Sequence, residues 1–202
     1  MKYKIVTHPH DHKKEKDWAI VLDFISENIE VSSLRKTLEL GAGMGNISSY
    51  FVSQGVSAFA EDINFEYLDK IKKRNQLIST LQHDINTPLP FPDNSFDFVS
   101  CVGTLHYGYI KNLQLIWNEM IRVSNKYILV DFFSKYSIYR FLEKIYNPLY
   151  NPRTYSKKEV FNLIKKFNLD IVSKTSTKSL PIIRQAFPFT GKAVYLILEK
   201  LK

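Results

Sequence analysis

Cysteine is nearly absent from this chain, with Cys101 the single one among 202 residues, so no disulfide can form within it. That count fits a reducing compartment. No apolar run approaches the ~18 residues of a membrane-spanning helix, and no basic segment followed by an apolar one opens the chain. Internal repeats and low-complexity linkers are also missing. We therefore expect a cytoplasmic protein without a transmembrane segment, folded as one domain over residues 1–202.

Glycine is scarce as well, with seven in the chain, yet Gly41, Gly43 and Gly45 stand at alternate positions. They follow an apolar segment typical of a buried strand and precede residues 47–52, which are typical of a helix start. Glycines spaced in this way remove side chains where a ligand must approach the backbone. The helix would direct its unpaired N–H groups at that ligand. The pattern indicates a nucleotide site built from a strand, a glycine loop and a helix.

The arrangement of acid and glycine indicates which nucleotide is bound. The dinucleotide fingerprint has its third glycine one residue later, where this chain has Asn46. Glu39 lies two positions before the first glycine, and the pattern E-x-G-x-G-x-G resembles motif I of the class I S-adenosylmethionine-dependent methyltransferases. The resemblance implies that S-adenosyl-L-methionine is the cofactor and S-adenosyl-L-homocysteine the product. It also implies cofactor contacts from Glu39, Gly41, Gly43 and Gly45.

Two further segments match that family in the right order. Asp62 and Ile63 end a second predicted strand, where an acid accepts both ribose hydroxyls of the cofactor, with Glu61 as the alternative acid. Asp84 and Ile85 resemble the adenine-binding turn of the family, in which the carboxylate accepts from the adenine amino group. All four of these residues, Asp62, Ile63, Asp84 and Ile85, are therefore candidate cofactor contacts.

The stretch from Leu89 to His106 is similar to the L-P-F-x-D-x-S-F-D-x-V segment of the small-molecule "methyltransferase type 11" group. Cys101, at the end of its predicted strand, is a further candidate cofactor contact. The resemblance covers about residues 37–133. The family usually continues R-V-L-K-P-G-G before its fifth strand, whereas this chain has Arg122-Val-Ser-Asn-Lys126. That departure is remote from the chemistry, although it leaves room for a non-catalytic homologue.

Alternating predicted strands and helices favour a parallel sheet with right-handed crossovers. We expect an α/β fold with a doubly wound, seven-stranded, mostly parallel sheet of the Rossmann-like methyltransferase type. Its last strand is expected to be antiparallel. The carboxyl ends of the strands would gather the motifs into one crevice. The predicted strands are 37–41, 56–61, 80–82, 96–102, 127–133, 169–173 and 193–199, and the predicted helices are 14–30, 47–53, 65–78, 113–123 and 156–167.

The net charge of +8 is concentrated in the last third of the chain. Residues 1–134 carry 14 Lys and Arg against 16 Asp and Glu, a net −2, whereas residues 135–202 carry 14 against 4, a net +10. A basic surface attracts anionic partners such as a phosphorylated metabolite, a nucleic acid or an acidic lipid. Because most of the excess is scattered lysine, we favour an ordinary solvated face, with nucleic-acid binding as the less favoured alternative.

Methyl transfer of this kind is an in-line displacement, for which the protein mainly aligns the reacting atoms. A general base helps when the acceptor is a hydroxyl or a protonated amine. His106 follows the fourth predicted strand, where cofactor and substrate meet in the family, and an imidazole can take a proton near neutral pH. A packing histidine is the alternative interpretation. Tyr107 and Tyr109 are candidate substrate contacts in the same pocket.

The N-terminal arm and helix, residues 1–36, include His8, His10 and His12. Their spacing matches no closed zinc pattern, so we predict no metal site, and either a solvent-exposed tail or a lid over the site.

Residues 135–155 are rich in aromatic and apolar side chains, with a few cations. In related enzymes insertions at this point form the substrate cap, and the composition suits a hydrophobic or aromatic acceptor. The same mixture would suit a membrane surface or an ordinary packing helix. Tyr155 and Arg184, the latter between the last two predicted strands, are further candidate substrate contacts.

We therefore expect an enzyme that methylates a small-molecule acceptor, at a hydroxyl of an aromatic or hydrophobic metabolite. An RNA methyltransferase is one alternative, permitted by the basic last third. Against it, no RNA-binding module is appended and the N/D-P-P-Y/F motif of base-amino methylation is absent. A non-catalytic homologue that binds S-adenosylmethionine is the other alternative.

Overall fold

The computed structural model describes residues 15–147, 149, 151–177 and 191–201. Within these ranges the chain alternates between strands and helices. The strands are β1 (Lys36–Leu40), β2 (Ser57–Asp62), β3 (Ser79–Gln82), β4 (Phe96–Cys101), β5 (Ser124–Phe133), β6 (Leu169–Ser176) and β7 (Ala193–Lys200). The α-helices are α1 (Glu15–Asn28), α2 (Asn46–Ser53), α3 (Phe65–Arg74), α4 (Leu113–Val123), α5 (Ile138–Tyr146) and α6 (Lys157–Lys166), and a 3₁₀ turn covers Val31–Ser33.

One seven-stranded sheet organises the molecule, in the order β3-β2-β1-β4-β5-β7-β6. Strands β1 to β5 pair in parallel, and β7 is antiparallel to both β5 and β6. The predicted fold class is thus confirmed, including the antiparallel last strand. The order reverses beside β1, so the loops after β1 and β4 diverge there and leave a crevice at the carboxyl ends of the strands.

The two faces of the sheet carry separate apolar clusters. On β5, Phe132 belongs to the cluster that packs under α4 and α6, whereas the next residue, Phe133, belongs to the cluster under α1 and α2. Alternation of this kind follows from the two-residue period of a strand. Because β5 is buried on both faces, its apolar side chains form a near-continuous run. None of the helices in the described ranges has the length and apolar character needed to cross a lipid bilayer.

Element boundaries differ from the sequence prediction at a few places, each with a local cause. Helix α3 ends at Arg74 rather than 78, because Asn75 is extended and its side chain accepts a hydrogen bond from the Leu77 N–H. Strand β5 begins at Ser124, directly after α4, with no intervening turn. The predicted capping box of α6 is present, since Ser156 and Glu159 each accept from the backbone N–H of the other.

Candidate functional site

A cavity of about 490 Å³ opens at the carboxyl ends of β1, β2, β4 and β5. Its two ends have different characters. The first is made of short loops that follow strands, and its wall is Gly41–Met44, residues 62–64, Tyr67 and residues 102–104. The second is largely aromatic, and its wall is Asp17, Trp18, His106, Tyr107, Phe133, Thr177, Lys192, Ala193 and Tyr195; Tyr109 continues this wall toward Asp62. We refer to these as the loop end and the aromatic end.

The three glycines of the loop all have positive φ, at +60°, +51° and +64°, a region that favours glycine. Each glycine is also constrained differently by its surroundings. A Cβ on Gly41 would collide with the Thr104 side chain, and one on Gly45 would meet Ile71 Cδ1 at 2.8 Å. A Cβ on Gly43 would meet nothing within 4 Å. Two of the glycines are therefore needed for packing within the protein, while Gly43 leaves open space along the cavity wall.

Two consecutive acids at the end of β2 accept hydrogen bonds from the backbone of the glycine loop. Glu61 Oε2 accepts from the Gly41 N–H at 3.0 Å, and Asp62 Oδ2 accepts from the Gly43 N–H at 2.8 Å. Asp62 Oδ1 accepts from the Asn64 N–H, also at 2.8 Å. Asp62 lies on the cavity wall, whereas Glu61 is 1% exposed and lies off it. Of the two acids considered for the ribose, Asp62 is thus the one that a cavity ligand can reach.

Burial raises the pKa of Glu61 to about 8, and the nearby carboxylates Asp62 and Asp84 contribute in the same direction. The Gly41 N–H opposes this shift because it stabilises the ionised form. His83 Nδ1 lies 3.6 Å from Glu61 Oε1. A carboxyl that titrates near neutral pH therefore lies directly beneath the glycine loop.

Glu39 is buried at the start of α2 and lies off the cavity wall. Its carboxylate accepts from the Ser48 N–H at 2.8 Å, from the Ser48 hydroxyl at 2.6 Å and from the Ile47 N–H at 3.4 Å. Burial raises the pKa of Glu39 to about 7, although these hydrogen bonds oppose the shift. Glu39 thus satisfies N–H groups at the helix start that would otherwise lack a partner. Its position fixes the loop–helix junction, and the cofactor contact that the resemblance implied for Glu39 stays a prediction.

The aromatic end is built around His106, which is buried and stacks on Phe133 with ring centroids 3.7 Å apart. Tyr107 lies against the same imidazole at 4.5 Å and continues the stack to Tyr109 at 5.5 Å. These three sequence-predicted residues are brought together on one wall. Tyr195 closes the floor, and burial raises the pKa of its phenol well above the ordinary value, so the hydroxyl stays protonated.

Charged groups at the aromatic end come from distant parts of the chain. Asp17 lies in the first turn of α1 and is buried at the cavity wall. Lys192 precedes β7 and donates to Glu143 of α5 at 2.7 Å. Asp131 lies beneath the wall, where its Oδ1 accepts from the Gly103 N–H at 2.7 Å. Helix α5, within the predicted substrate cap, is thereby tied to the wall of the cavity.

Other predicted site residues lie off this wall. Gly45 packs on Ile71, and Cys101 is buried in the sheet. Tyr155 packs edge-on against Phe132, on the opposite face of the sheet from Phe133. Arg184 and the three histidines His8, His10 and His12 fall outside the described residues.

The adenine-turn pair also lies off the wall, in a local turn after β3. Asp84 Oδ1 accepts from the backbone and side-chain N–H groups of Asn86, both at 2.9 Å, and these bonds lower the pKa of Asp84. Ile85 is buried beside the turn. Within the described residues, no group of three or more His, Cys, Asp or Glu side chains is arranged to hold a metal ion.

Sequence reasoning missed several residues of the wall, chiefly Asp17, Thr177, Lys192 and Tyr195. They lie in α1 and at the ends of β6 and β7, which are far from every recognised motif. The predicted topology could have indicated Lys192 and Tyr195. Because β7 runs antiparallel, it begins at the edge of the sheet where the parallel strands end. Arg74 was also missed; its guanidinium donates to the Met44 carbonyl and to Ser49 Oγ at 3.0 Å, which anchors the loop from α3.

Comparisons with known proteins agree with this geometry. Residues 38–127 match the family model described as a methyltransferase domain. An uncharacterized protein of Methanocaldococcus jannaschii is 26% identical over 91% of this chain and 90% of its own.

Solved structures share the fold at low sequence identity. A SAM-dependent methyltransferase from Thermotoga maritima superposes with a TM-score of 0.70 at 18% identity, covering 91% of this chain and 89% of that one. Magnesium protoporphyrin IX methyltransferase from Synechocystis, with bound SAH, gives a TM-score of 0.70 at 12% identity, covering 92% and 82%. Residues 38–127 thus match a methyltransferase domain, and with its seven-stranded sheet and its glycine loop the chain is similar to the class I S-adenosylmethionine-dependent methyltransferases.

Proposed function

We propose that this enzyme methylates a small-molecule acceptor with an aromatic or otherwise apolar body, most simply at a hydroxyl group. The observation that carries the proposal is a single cavity with a glycine-loop end and an aromatic end. Ligand sites of this kind are mostly apolar, with a few polar groups that fix orientation. The chain would act as one domain over residues 1–202, with residues 135–155 as a cap beside the aromatic end.

The residues of the loop end fit S-adenosylmethionine. The open space at Gly43 lets the methionine portion lie against the backbone, where a side chain would intrude. Asp62 uses one lone pair on each oxygen for the loop, so each oxygen keeps capacity to accept a ribose hydroxyl. Ile63 is 58% exposed on the same wall and would cover the adenosine. Asp84 and Ile85 remain candidates for the adenine edge, by resemblance.

The bound cofactor supplies a methyl group on a positively charged sulfur, which is already electrophilic. The remaining task is to orient the acceptor and remove its proton. His106 is buried in the wall of the aromatic end and is held flat by Phe133. We assign to this imidazole the role of accepting the proton of the acceptor hydroxyl, while Tyr107 and Tyr109 contact the acceptor ring. Positioning by such a wall can supply several kcal/mol of the barrier, up to about 7–11.

Calorimetric titration with S-adenosylmethionine, and separately with NAD, tests the cofactor assignment. Micromolar binding of the first and none of the second is expected. Methyl transfer from labelled S-adenosylmethionine is then measured with a panel of phenols, aliphatic alcohols, amines and total RNA. Label in phenols supports the proposal. Label confined to RNA, with strongly salt-dependent binding, would replace it with the nucleic-acid alternative.

A further inference from the structure

The described apolar side chains of helix α5 are exposed to solvent. Described residues with large exposed fractions run along it and just beyond both ends; Tyr146 is 85% exposed and Leu149 is 94% exposed. On a helix, residues 139, 142 and 146 fall on one face, since they are spaced by three and four positions. We call this the α5 surface; it comprises Tyr136, Tyr139, Leu142, Ile145, Tyr146 and Leu149.

The described apolar side chains of α5 depart from the arrangement usual for a helix on a water-soluble core. Such a helix buries its apolar stripe and exposes its charges. Among the described side chains of α5, the apolar ones are exposed, and the charged Glu143 binds the body of the protein through the 2.7 Å ion pair with Lys192. A contiguous exposed apolar surface of this kind marks a site of interaction rather than a neutral feature.

Cations lie at the base of the same helix. The Lys135 N–H donates to the Tyr155 carbonyl at 2.9 Å, so the residue that precedes α5 lies beside residues 153–155. Lys135, Arg153, Lys157 and Lys158 are all exposed. Glu159, an acid beside these cations, has its carboxylate engaged in the capping box of α6.

We propose that the α5 surface binds an anionic phospholipid bilayer, lying in its interface rather than crossing it. The apolar side chains would enter the boundary between headgroups and acyl chains, and the four cations would meet anionic headgroups. Three of the six surface residues are tyrosines, which favour membrane interfaces because they combine an apolar ring with a polar tip.

Charge favours this partner over a second copy of the chain. In a two-fold dimer built on the α5 surface, the same patch would meet itself. The exposed cations at the base of α5 in one copy would then lie close to those of the other, which opposes association. An anionic bilayer instead neutralises that charge.

Because the α5 surface lies beside the cavity, lipid binding there would bear on how the acceptor reaches the enzyme. Glu143 of α5 binds Lys192, and Lys192 is part of the aromatic end of the cavity. A bilayer on the α5 surface would therefore lie next to the acceptor end, so that an apolar acceptor dissolved in lipid could enter from there. The lipid contact itself does not depend on the proposed function, because it can be measured without cofactor.

Co-sedimentation of the full chain with vesicles tests the proposal. Vesicles of phosphatidylcholine alone are compared with vesicles that contain about one third phosphatidylglycerol. Binding to the anionic vesicles is expected to be at least tenfold tighter, and to weaken when salt rises from about 0.05 to 0.5 M. The double variant Tyr146→Glu/Leu149→Glu should lose at least tenfold in this binding. Both side chains are almost fully exposed, so the substitutions leave the fold intact.

Leu77→Glu is the matched control, since Leu77 is 77% exposed just before β3, at the other edge of the sheet. It should bind vesicles like the wild type, and all the variants should bind S-adenosylmethionine equally. Absence of vesicle binding, or equal loss in the control, would overturn the proposal. Sedimentation velocity that shows a dimer, lost in the double variant and without vesicle binding, would assign the surface to a second copy instead.

Discussion

The loop end and the aromatic end of the cavity are built in contrasting ways. The loop end comes from the short loops that follow β1, β2 and β4, and backbone N–H groups bonded to Glu61 and Asp62 fix the geometry of its glycine loop. The aromatic end is assembled from α1, the segment after β4, β5 and the β6–β7 junction, and side-chain stacking holds it together. Backbone geometry constrains sequence tightly, whereas an aromatic wall tolerates many side chains. The two ends should therefore respond differently to substitution.

The largest effect is expected at Gly43. In Gly43→Val the new side chain would occupy the open space at the loop, and its φ of +51° is strained for a β-branched residue. Binding of S-adenosylmethionine should be abolished in calorimetry, with the far-UV circular dichroism of the wild type retained. Gly55→Val is the matched control, because Gly55 also has a positive φ and open space but lies away from the cavity. Unchanged cofactor affinity in Gly43→Val would refute the loop assignment.

Substitution of His106 distinguishes the roles of the two ends, since it should lower turnover and leave the affinity for the cofactor unchanged. His106→Gln keeps a polar side chain but removes the base, so kcat with an acceptor from the labelling screen should fall by about 100-fold or more. The acidic limb of the kcat–pH profile should disappear at the same time. The affinity for S-adenosylmethionine should stay within twofold of wild type. A variant that loses affinity and stability together, with an unaltered pH profile, would show that the histidine only packs on Phe133.

The next effect is a partial loss of cofactor affinity at Asp62. Asp62→Ala removes the proposed ribose acceptor, and hydrogen bonds to a charged group are worth about 1.5–3 kcal/mol, or roughly 10–150-fold in Kd. Asp97→Ala is the control, because Asp97 Oδ2 also accepts two backbone N–H groups, from Arg35 and Lys36, at the opposite end of β1. Asp97→Ala should lower the free energy of unfolding as Asp62→Ala does, and it should leave the affinity for S-adenosylmethionine unchanged. Equal Kd values for both variants and the wild type would remove Asp62 from the ribose site.

The same contrast explains what the sequence could predict. The strand–loop–helix units carry their own local signals: alternate glycines, an acid at a strand end and the Asn64 cap of α3, which accepts from the Glu66 N–H at 2.9 Å. The fold and the loop end were accordingly predictable from residues close together in the chain. Asp17 and Tyr195 have no such signal, because only the tertiary arrangement of α1 and β7 brings them together. The substrate contact predicted for Tyr155 stays a prediction; its ring packs against Phe132, off the described cavity wall.

Glu39 shows a finer limit of sequence reasoning. Its position two residues before the first glycine was recognised, yet its placement depends on the turn between them. Three positive φ values carry the chain back over β1, so that the carboxylate meets Ile47 and Ser48 at the start of α2. The spacing in the sequence identified Glu39 as part of the glycine-loop motif. The backbone turn then places its carboxylate against the N–H groups at the start of α2, off the cavity wall.

The smallest expected effect is a pH dependence of stability that arises beneath the loop end. The pKa of Glu61 rises from 4.5 to about 8 on folding, so between these values the folded state holds more protons than the unfolded state. Stability then falls as pH rises through this window, by a few kcal/mol in total, and the buried Glu39, with a pKa of about 7, adds to the same slope. Glu61→Gln is neutral at every pH and keeps an oxygen for the Gly41 N–H. Its free energy of unfolding, from urea titrations at pH 5 and pH 8, should therefore change less between the two pH values than that of the wild type.

The control is Glu27→Gln, which removes an exposed carboxyl on α1 and should keep the pH dependence of stability of the wild type. If Glu61→Gln keeps that slope too, the Glu61 carboxyl is ionised throughout, and the glycine loop rests on a permanent negative charge.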